Sequence, residues 1–250
     1  MDNNRRGLCL SALLSCLTRL ATSLFALACL AHLAILGRLI GAENAIDIQR
    51  QVSITMIDQN IMQTLVRLGS QESIPIGIVL DKTNALCNQR KSVTAVNRAL
   101  GQVMTDLLAA SGEVWSVEDG VIEVKPKQVS EASVHILNMT FSEYRSMDTT
   151  IQGLGIILSG NIYSRVNPRQ GYAGNILSSL DAEKVPAFRL QNVSVKQIAN
   201  HIISLGNKGM WIFYPQPEDA QQNIAQHVQL STYGYKDDKR VLETVSCSKQ

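Results

Sequence analysis

The sequence predicts an α+β fold: a small two-layer sandwich of short strands and two helices, followed by a second, less regular α/β lobe. Through residue 127, two amphipathic helices alternate with short strands in the order strand, helix, strand, strand, helix, strand, strand. A third helix and an aromatic strand follow between residues 195 and 214. Because a helix and a sheet each carry one apolar face, stacking them in layers buries both.

Three helices are predicted from apolar residues that recur with the helical period. The first covers Ile61–Gly69 and the third covers Val195–Ile203. The second covers 96–108, and its apolar residues follow the i, i+3, i+4, i+7 spacing throughout: Val96, Ala99, Leu100, Val103, Met104, Leu107 and Leu108. Each helix is expected to pack one face and leave the other in solvent.

Strands are predicted where apolar residues alternate or form short runs between turn residues. Val52–Met56 and Ile76–Leu80 flank the first helix, and Met210–Tyr214 follows the third. Val114–Val117 and Val121–Val124 follow the second helix. These segments are expected to supply the sheet on which the helices pack.

The last two strands of the first part form a predicted hairpin. They flank Glu118-Asp119-Gly120, and the Asp-Gly pair supplies the positive φ angles that a tight turn needs. Pro126 then limits the second strand, because proline has no N–H to donate to a neighbouring strand.

The second part is less regular. Val134–Phe141 is predicted as a strand, and the three glycines within Thr149–Ile162 weaken a helix there. Asn167–Gly171 is a predicted loop and Asn175–Leu180 a predicted short helix. Residues 215–250 are polar and are expected to end in a loose tail.

Residues 1–42 are predicted to be a signal peptide or an uncleaved signal anchor. The 18-residue stretch 20–37 has no ionisable group except one histidine, and as a helix it would span about 27 Å, close to the hydrocarbon thickness of a bilayer. Arg5, Arg6 and Arg19 precede it, on the side that stays in the cytoplasm. The best cleavage site follows Ala42. The protein is therefore expected in the periplasm or, if uncleaved, anchored in the inner membrane through residues 20–37 and facing the periplasm.

The leader carries the excess positive charge of the chain. Residues 1–42 hold four arginines and one aspartate, which leaves 19 basic and 20 acidic residues in the remainder, a net charge of −1. Such a balance does not predict a nucleic-acid partner.

Two cysteines, Cys87 and Cys247, lie outside the leader. They are candidates for a disulfide in an oxidising compartment. The alternative places Cys87 in or near the core and Cys247 in the loose tail, and the sequence leaves both open. No metal or cofactor site is expected, because no CxxC, HExxH or His/Cys cluster occurs.

Two half-motifs of burial and turn residues occur within residues 52–124. The first is Asn60–Gly69 running on to Ile76–Asp81, and the second is Asp106–Gly112 followed by Val114–Val124. Together they resemble the short N-terminal domain shared by secretins and TonB-dependent receptors. The link Ser73-Ile74-Pro75 departs from the family pattern, which has a glycine there.

The resemblance implies a periplasmic module that contacts other envelope proteins, such as a secretin-like protein, a receptor or an inner-membrane assembly component. The expected organisation is a module at 46–127, a linker at 128–133 and a second lobe at 134–250 that includes the polar tail. An accessory role in a secretion or uptake assembly follows as the expectation for function.

No catalytic constellation is evident in the sequence. His135, His201 and His227 are far apart and have no Cys or carboxylate at ligand spacing. No Gly-x-Ser-x-Gly nucleophile elbow occurs, and Glu118-Asp119 is best explained as part of a turn. We therefore expect a non-enzymatic protein without a cofactor.

A surface that binds a partner protein is the better candidate, because an edge strand has unpaired backbone groups that accept another strand. In a strand with alternating faces, Trp211 and Phe213 share the predicted core side and leave the next residue outside. The candidate partner-binding residues are Trp115, Val117, Ile122, Val124 and Tyr214. Two alternatives remain: a periplasmic ligand-binding protein or enzyme with a site in 134–190, and a self-associating membrane-anchored structural subunit.

Overall fold

Strands and helices alternate along the chain, which confirms the predicted α+β class. The structure, a computed structural model, describes residues 46–80, 85–129, 131–166, 184–205, 209–213 and 228–232. The strands are β1 (Gln51–Asn60), β2 (Ile76–Val79), β3 (Arg90–Ala99), β4 (Glu113–Glu118), β5 (Val121–Pro126), β6 (Thr140–Arg145), β7 (Thr149–Thr150), β8 (Lys184–Val185), β9 (Arg189–Ser194), β10 (Gly209–Phe213) and β11 (Val228–Thr232). The helices are α1 (Ile61–Glu72), α2 (Ala85–Asn88), α3 (Leu100–Leu108), α4 (Glu131–Asn138), α5 (Ile151–Val166) and α6 (Val195–Ser204).

A five-stranded sheet of order β11-β10-β2-β5-β4 lies at the centre of the fold. Its three inner strands are parallel, and β11 and β4 pair antiparallel to them. The sheet takes strands from both segments predicted as separate parts, 46–127 and 134–250, and Ile46–Gln250 forms one compact unit. The predicted boundary at 128–133 therefore does not coincide with a break in the sheet, and α4 begins inside it.

Each face of the central sheet packs against its own apolar cluster. One cluster includes α1, α3 and the β1–β3 ribbon, and the other includes α4, α5 and α6. Successive residues of β10 alternate between them: Met210 and Ile212 join the first cluster, and Trp211 and Phe213 join the second. The aromatic pair is almost completely buried, which confirms its predicted place in the core.

Three strands lead into their helices through a residue with left-handed backbone. Asp58, Asn97 and Asn192 have φ angles of 48°, 50° and 51°. In each case a helix, α1, α3 or α6, begins three residues later. Asp and Asn are the non-glycine residues that best tolerate this conformation. The chain thus uses one strand-to-helix junction three times.

The two strands of the β1–β3 ribbon are equivalent in detail. The backbone N–H of Asp58 donates to Ser92 Oγ, and that of Asn97 donates to Ser53 Oγ, both at 3.0 Å. Each of these bonds lies beside a register shift of the ribbon. The segments 53–58 and 92–97 share the pattern Ser-Ile/Val-Thr-x-Ile/Val-Asp/Asn. This internal repeat explains why β1 and β3 have the same length and the same bulged geometry.

The predicted first and third helices are confirmed as α1 and α6, but the second begins later than expected. Residues 96–99 belong to β3, and α3 starts at Leu100. Val96 is 69% exposed, and the left-handed Asn97 interrupts any helix at this point. The helical spacing of Val96 and Ala99 was therefore coincidental, and the β-branched residues of this segment favour the strand that forms.

Two further predictions are corrected in the second part. The strand predicted at Val134–Phe141 is wrong, because α4 extends to Asn138 and β6 begins at Thr140. A continuous helix, α5, forms despite its glycines. Its Leu154, Leu158 and Ile162 are buried in the second cluster, so tertiary packing outweighs the weak helix propensity of glycine.

Several predictions fall on parts of the chain outside the described residues. These include the leader at 1–42, the loop at Asn167–Gly171 and the short helix at Asn175–Leu180. Of the polar segment 215–250, the structure describes β11 alone. Among the described helices, none is long and apolar enough to cross a membrane.

Close packing between β2 and β10 fixes the centre of the sheet. Gly77 pairs with Trp211 in the parallel register. A methyl group at position 77 would overlap the indole ring of Trp211, and this ring is completely buried. Only glycine therefore permits the observed approach of the two strands.

Replacing Gly77 with alanine should destabilise the protein by about 2–3 kcal/mol, because the buried indole ring cannot move without disturbing the core. Gly101→Ala in α3 is the matched control, since its added methyl group meets its nearest atom at 3.4 Å. This control should be neutral or stabilising by up to about 1 kcal/mol through helix propensity. Urea unfolding of the full chain in detergent measures both, and equal stabilities would contradict the packing described.

Candidate functional site

The strand β4 lies at one edge of the central sheet and pairs with β5 alone among the described strands. The register between them has no shift. Asp119 and Gly120 have φ angles of 50° and 72°, which fit a two-residue turn of type I′. The predicted hairpin is therefore confirmed.

The hydrogen-bond pattern of the hairpin leaves part of the β4 backbone facing outward. The N–H of Lys127 donates to the carbonyl of Gly112 at 2.9 Å, and directly opposed pairs alternate between bonded and non-bonded in an antiparallel ladder. The even-numbered residues of β4 therefore bond to β5. The N–H and C=O groups of Trp115 and Val117 point away from β5, and within the described part of the chain no other backbone group bonds to them.

The side chains along this edge offer apolar contact. Val114 is 37% exposed and Val117 is 39% exposed, on opposite faces of the strand. The strand contains no proline or lysine, two residues that natural proteins use to block edges. Trp115 is half-buried, and its indole N–H donates to Thr105 Oγ1 at 3.3 Å. Trp115 thus offers its backbone, and Val117 offers both backbone and side chain.

Two of the five candidate residues cannot contact a partner. Ile122 and Val124 are completely buried, and β5 is paired on both sides, by β2 and β4. Sequence alternation placed them on one face of a hairpin, but the hairpin packs that face into the core. Tyr214 lies outside the described residues. Trp115 and Val117 therefore remain at the edge.

A pocket of about 340 Å³ lies beside β4, on the face that carries Val114. Val79 and Leu137 add to its apolar wall. Its charged lining residues are Glu123, Lys125, Lys127 and Lys196. The sequence gave no sign of this pocket, because it joins the hairpin to α4 and α6 across long sequence separations.

Glu123 is the buried charge of the pocket, with 3% of its surface exposed. Lys125 Nζ and Lys196 Nζ each lie 3.2 Å from its carboxylate. Lys196 Nζ also lies 2.8 Å from the carboxylate of Glu118. A buried charge is tolerated only when it is paired and hydrogen-bonded, and these two lysines satisfy that requirement.

The ion pairs shift two pKa values. The hydrogen bond from Lys196, opposed by partial burial, lowers the pKa of Glu118. Burial alone would lower the pKa of Lys196, but its hydrogen bond to Glu118 and the charge of Glu123 raise it. Both groups are therefore held in their charged forms at neutral pH, which suits a structural ion pair rather than a proton-transfer pair.

The helix α6 holds the turn end of the hairpin in place. Asn200, one helical turn beyond Lys196, donates from Nδ2 to the carbonyl of Glu118 at 3.5 Å. Its Oδ1 accepts from Trp211 Nε1 at 2.7 Å. A capping box of Ser194 and Gln197 fixes the start of this helix. The orientation of the β4 edge thus depends on contacts that run through α6 to the core.

A second pocket, of about 430 Å³, lies between β1 and α1. Its lining includes Ile57, which is 71% exposed, and a single charged residue, Arg67. The neighbouring strand is bulged at Asp58. This pocket lacks both the regular edge strand and the charge cluster of the first.

The histidines form no catalytic arrangement. The ring of His201 packs edge-on against Phe188 at 4.7 Å, and burial lowers its pKa. His135 is exposed, and His227 lies outside the described residues. Within the described ranges, no three His, Cys, Asp or Glu side chains cluster as metal ligands do.

Cys87 follows the buried Leu86 in α2, packs against the first cluster and is disulfide-bonded. Cys247 lies outside the described residues, so the pairing of Cys87 with Cys247 stays a prediction. Disulfides persist in oxidising compartments, which agrees with the predicted export of the chain.

The chain matches no protein-family model, and no curated protein matches it. The resemblance of residues 52–124 to the secretin and TonB-receptor domain therefore rests on the sequence motifs.

Replacing Lys196 with methionine should cost about 2 kcal/mol of stability, because it removes one of two cations from a buried carboxylate. Lys125→Met is the matched control, since Lys125 lies at the same 3.2 Å from Glu123 but is 39% exposed. The control should cost less than about 1 kcal/mol. Urea unfolding of both variants tests this order, and an equal or reversed order would contradict the assigned role of Lys196.

The same ion pairs predict how stability depends on pH. The folded pKa of Glu118 lies below its ordinary 4.5, so its contribution is present above pH 4.5 and is lost as the pH falls through the lowered value. The folded pKa of Lys196 lies above its ordinary 10.5, so its contribution is present below pH 10.5 and is lost at higher pH. Urea unfolding from about pH 3 to about pH 11 should show both losses in the wild type and smaller ones in Lys196→Met. Identical pH profiles for the two proteins would disprove this assignment.

Proposed function

We propose that this chain is a non-enzymatic protein–protein interaction module of the cell envelope that receives an extended segment of a partner protein at the free edge of β4. The observation that carries the proposal is the outward-facing backbone of Trp115 and Val117 on an edge strand with a regular register. Strand addition needs no special residue type, since backbone groups supply the bonds.

Partner binding at this edge would use backbone hydrogen bonds and short apolar contacts. Trp115 and Val117 offer four backbone groups, and each bond adds a net stability of about 0.5–1.5 kcal/mol. Val114 and Val117 would contact alternate side chains of the added strand on opposite faces. Such a small contact suits a transient partner or one of several contacts within a larger assembly.

The other described strand edges are less suited to receive a partner. The β1–β3 ribbon is interrupted by register shifts beside Asp58 and Asn97. The strand β9 contains the left-handed Asn192. Bulges and left-handed residues twist an edge away from a flat partner strand, whereas β4 pairs over six residues without one.

Three observations support a place in the envelope. The sequence predicts a leader at 1–42, Cys87 is disulfide-bonded, and residues 52–124 resemble a periplasmic domain family. The expected partners are a secretin-like protein, a receptor or an inner-membrane assembly component. The protein would then act as an accessory of a secretion or uptake assembly.

One observation favours a second candidate function, a periplasmic ligand-binding protein. The pocket beside β4 includes Leu137 and Asn138 of α4 in its lining, within the segment 134–190 predicted for such a site. Its volume lies at the small end of known ligand pockets. A small ligand of the pocket would raise the melting temperature of the protein without any partner.

Photo-crosslinking in the native envelope tests the proposal. A photoreactive residue at the exposed position Ser116 should capture an envelope protein, and one at Val96, which is 69% exposed on the ribbon, should not. Val117→Pro removes one outward N–H, and proline is tolerated on an edge. It should reduce capture about tenfold through lost hydrogen bonding and steric fit, whereas Val117→Thr keeps the N–H and should change capture less than twofold.

Equal capture by Val117→Pro and Val117→Thr would contradict strand addition at β4. Adducts formed only between copies of this chain would instead favour the self-associating structural subunit. Single substitutions are used because deleting 46–127 would remove three of the five strands of the central sheet.

A further inference from the structure

We propose that the segment received at β4 is acidic, and that the pocket beside β4 takes the carboxylate side chain of a glutamate or aspartate from that segment. This inference rests on the proposed function, because β4 forms both the edge and one wall of the pocket. It adds the chemistry by which a partner is selected, which a backbone-only edge does not supply.

The geometry places side chains of an added strand next to the pocket. Val114 lies directly opposite Lys125, and Ser116 lies opposite Glu123, so all four side chains project from the pocket face of the hairpin. A third strand beside β4 continues this face, and every second side chain of that strand points toward the same side. Such a side chain next to Val114 lies within a short reach of the pocket opening.

The charges of the pocket favour an anion. Its four charged lining residues are three lysines and one glutamate, an excess of two positive charges. Including Glu118, which shares Lys196, still leaves one excess positive charge. Lys127 is exposed and makes no ion pair with any described residue.

Lys127 is therefore the group left to pair with a partner. Glu123 already has two cations within 3.2 Å, so a lysine or arginine of the partner would gain little from it. Such a cation would also meet three lysines, and like charges brought together at an interface disfavour binding. An acidic side chain instead pairs with Lys127 and leaves the Glu123 network intact.

The apolar part of the wall favours glutamate over a small anion. Val79, Val114 and Leu137 line the pocket together with the lysines. The methylene groups of a glutamate side chain would contact these residues while its carboxylate reaches the lysines. A free anion would use the charges alone, and it would lack the backbone bonds at Trp115 and Val117.

Synthetic peptides test this inference on the full chain in detergent. Fluorescein-labelled heptapeptides of alternating threonine and valine carry a central glutamate, glutamine or lysine, and fluorescence anisotropy measures their affinity. The glutamate peptide should bind about fivefold more tightly than the glutamine peptide, as expected for one partly exposed ion pair. Lys127→Gln should abolish this preference, and Lys127→Glu should shift it toward the lysine peptide. Lys184→Gln, an exposed charge outside the pocket, is the control that should leave it unchanged.

The outcomes separate this inference from the proposed function. If all three peptides bind equally and Val117→Pro abolishes binding, the edge receives a strand but has no preference for acid, which overturns this inference alone. If no peptide binds and Val117→Pro leaves envelope crosslinks unchanged, both proposals fail. If millimolar free glutamate displaces the peptide and Val117→Pro has no effect, the pocket is a small-molecule site, which also overturns the inference.

Discussion

The parallel pairing of β2 with β10 is the constraint on which the rest of the structure depends. It joins a strand from residues 76–79 to one from 209–213, and it brings the indole of Trp211 onto the backbone of Gly77. Without this contact the two apolar clusters would lose their common sheet. The absence of a side chain at Gly77 is therefore as important to the fold as any apolar residue of the core.

The candidate site inherits its geometry from this pairing. Trp211 donates a buried hydrogen bond to Asn200, and Asn200 donates in turn to the carbonyl of Glu118 at the hairpin turn. Lys196, on the same helix, fixes the carboxylates of Glu118 and Glu123. The chain of contacts runs from the centre of the sheet to its edge. It holds β4 in a defined orientation while leaving its outer backbone groups available.

Local patterns in the sequence predicted the helices α1 and α6 and the Asp119-Gly120 hairpin, because each depends on neighbouring residues. The start of α3 was not predicted, although the shared pattern of 53–58 and 92–97 marks residues 92–97 as a strand like the first. The burial of Ile122 and Val124 could not be predicted, since it depends on the pairing of β5 with β2. The ion pairs of Lys196 join residues more than 70 positions apart, beyond any local pattern.

The central claim is that the outer backbone of β4 is open to a partner. Amide hydrogen exchange measured by NMR on the full chain in detergent tests it most directly, because exchange reports hydrogen bonding at each N–H. The amides of Trp115 and Val117 should exchange rapidly, while that of Ser116, which bonds to β5, should be protected. Slow exchange at Trp115 and Val117, equal to that at Ser116, would show that another part of the protein already covers the edge and would contradict the account.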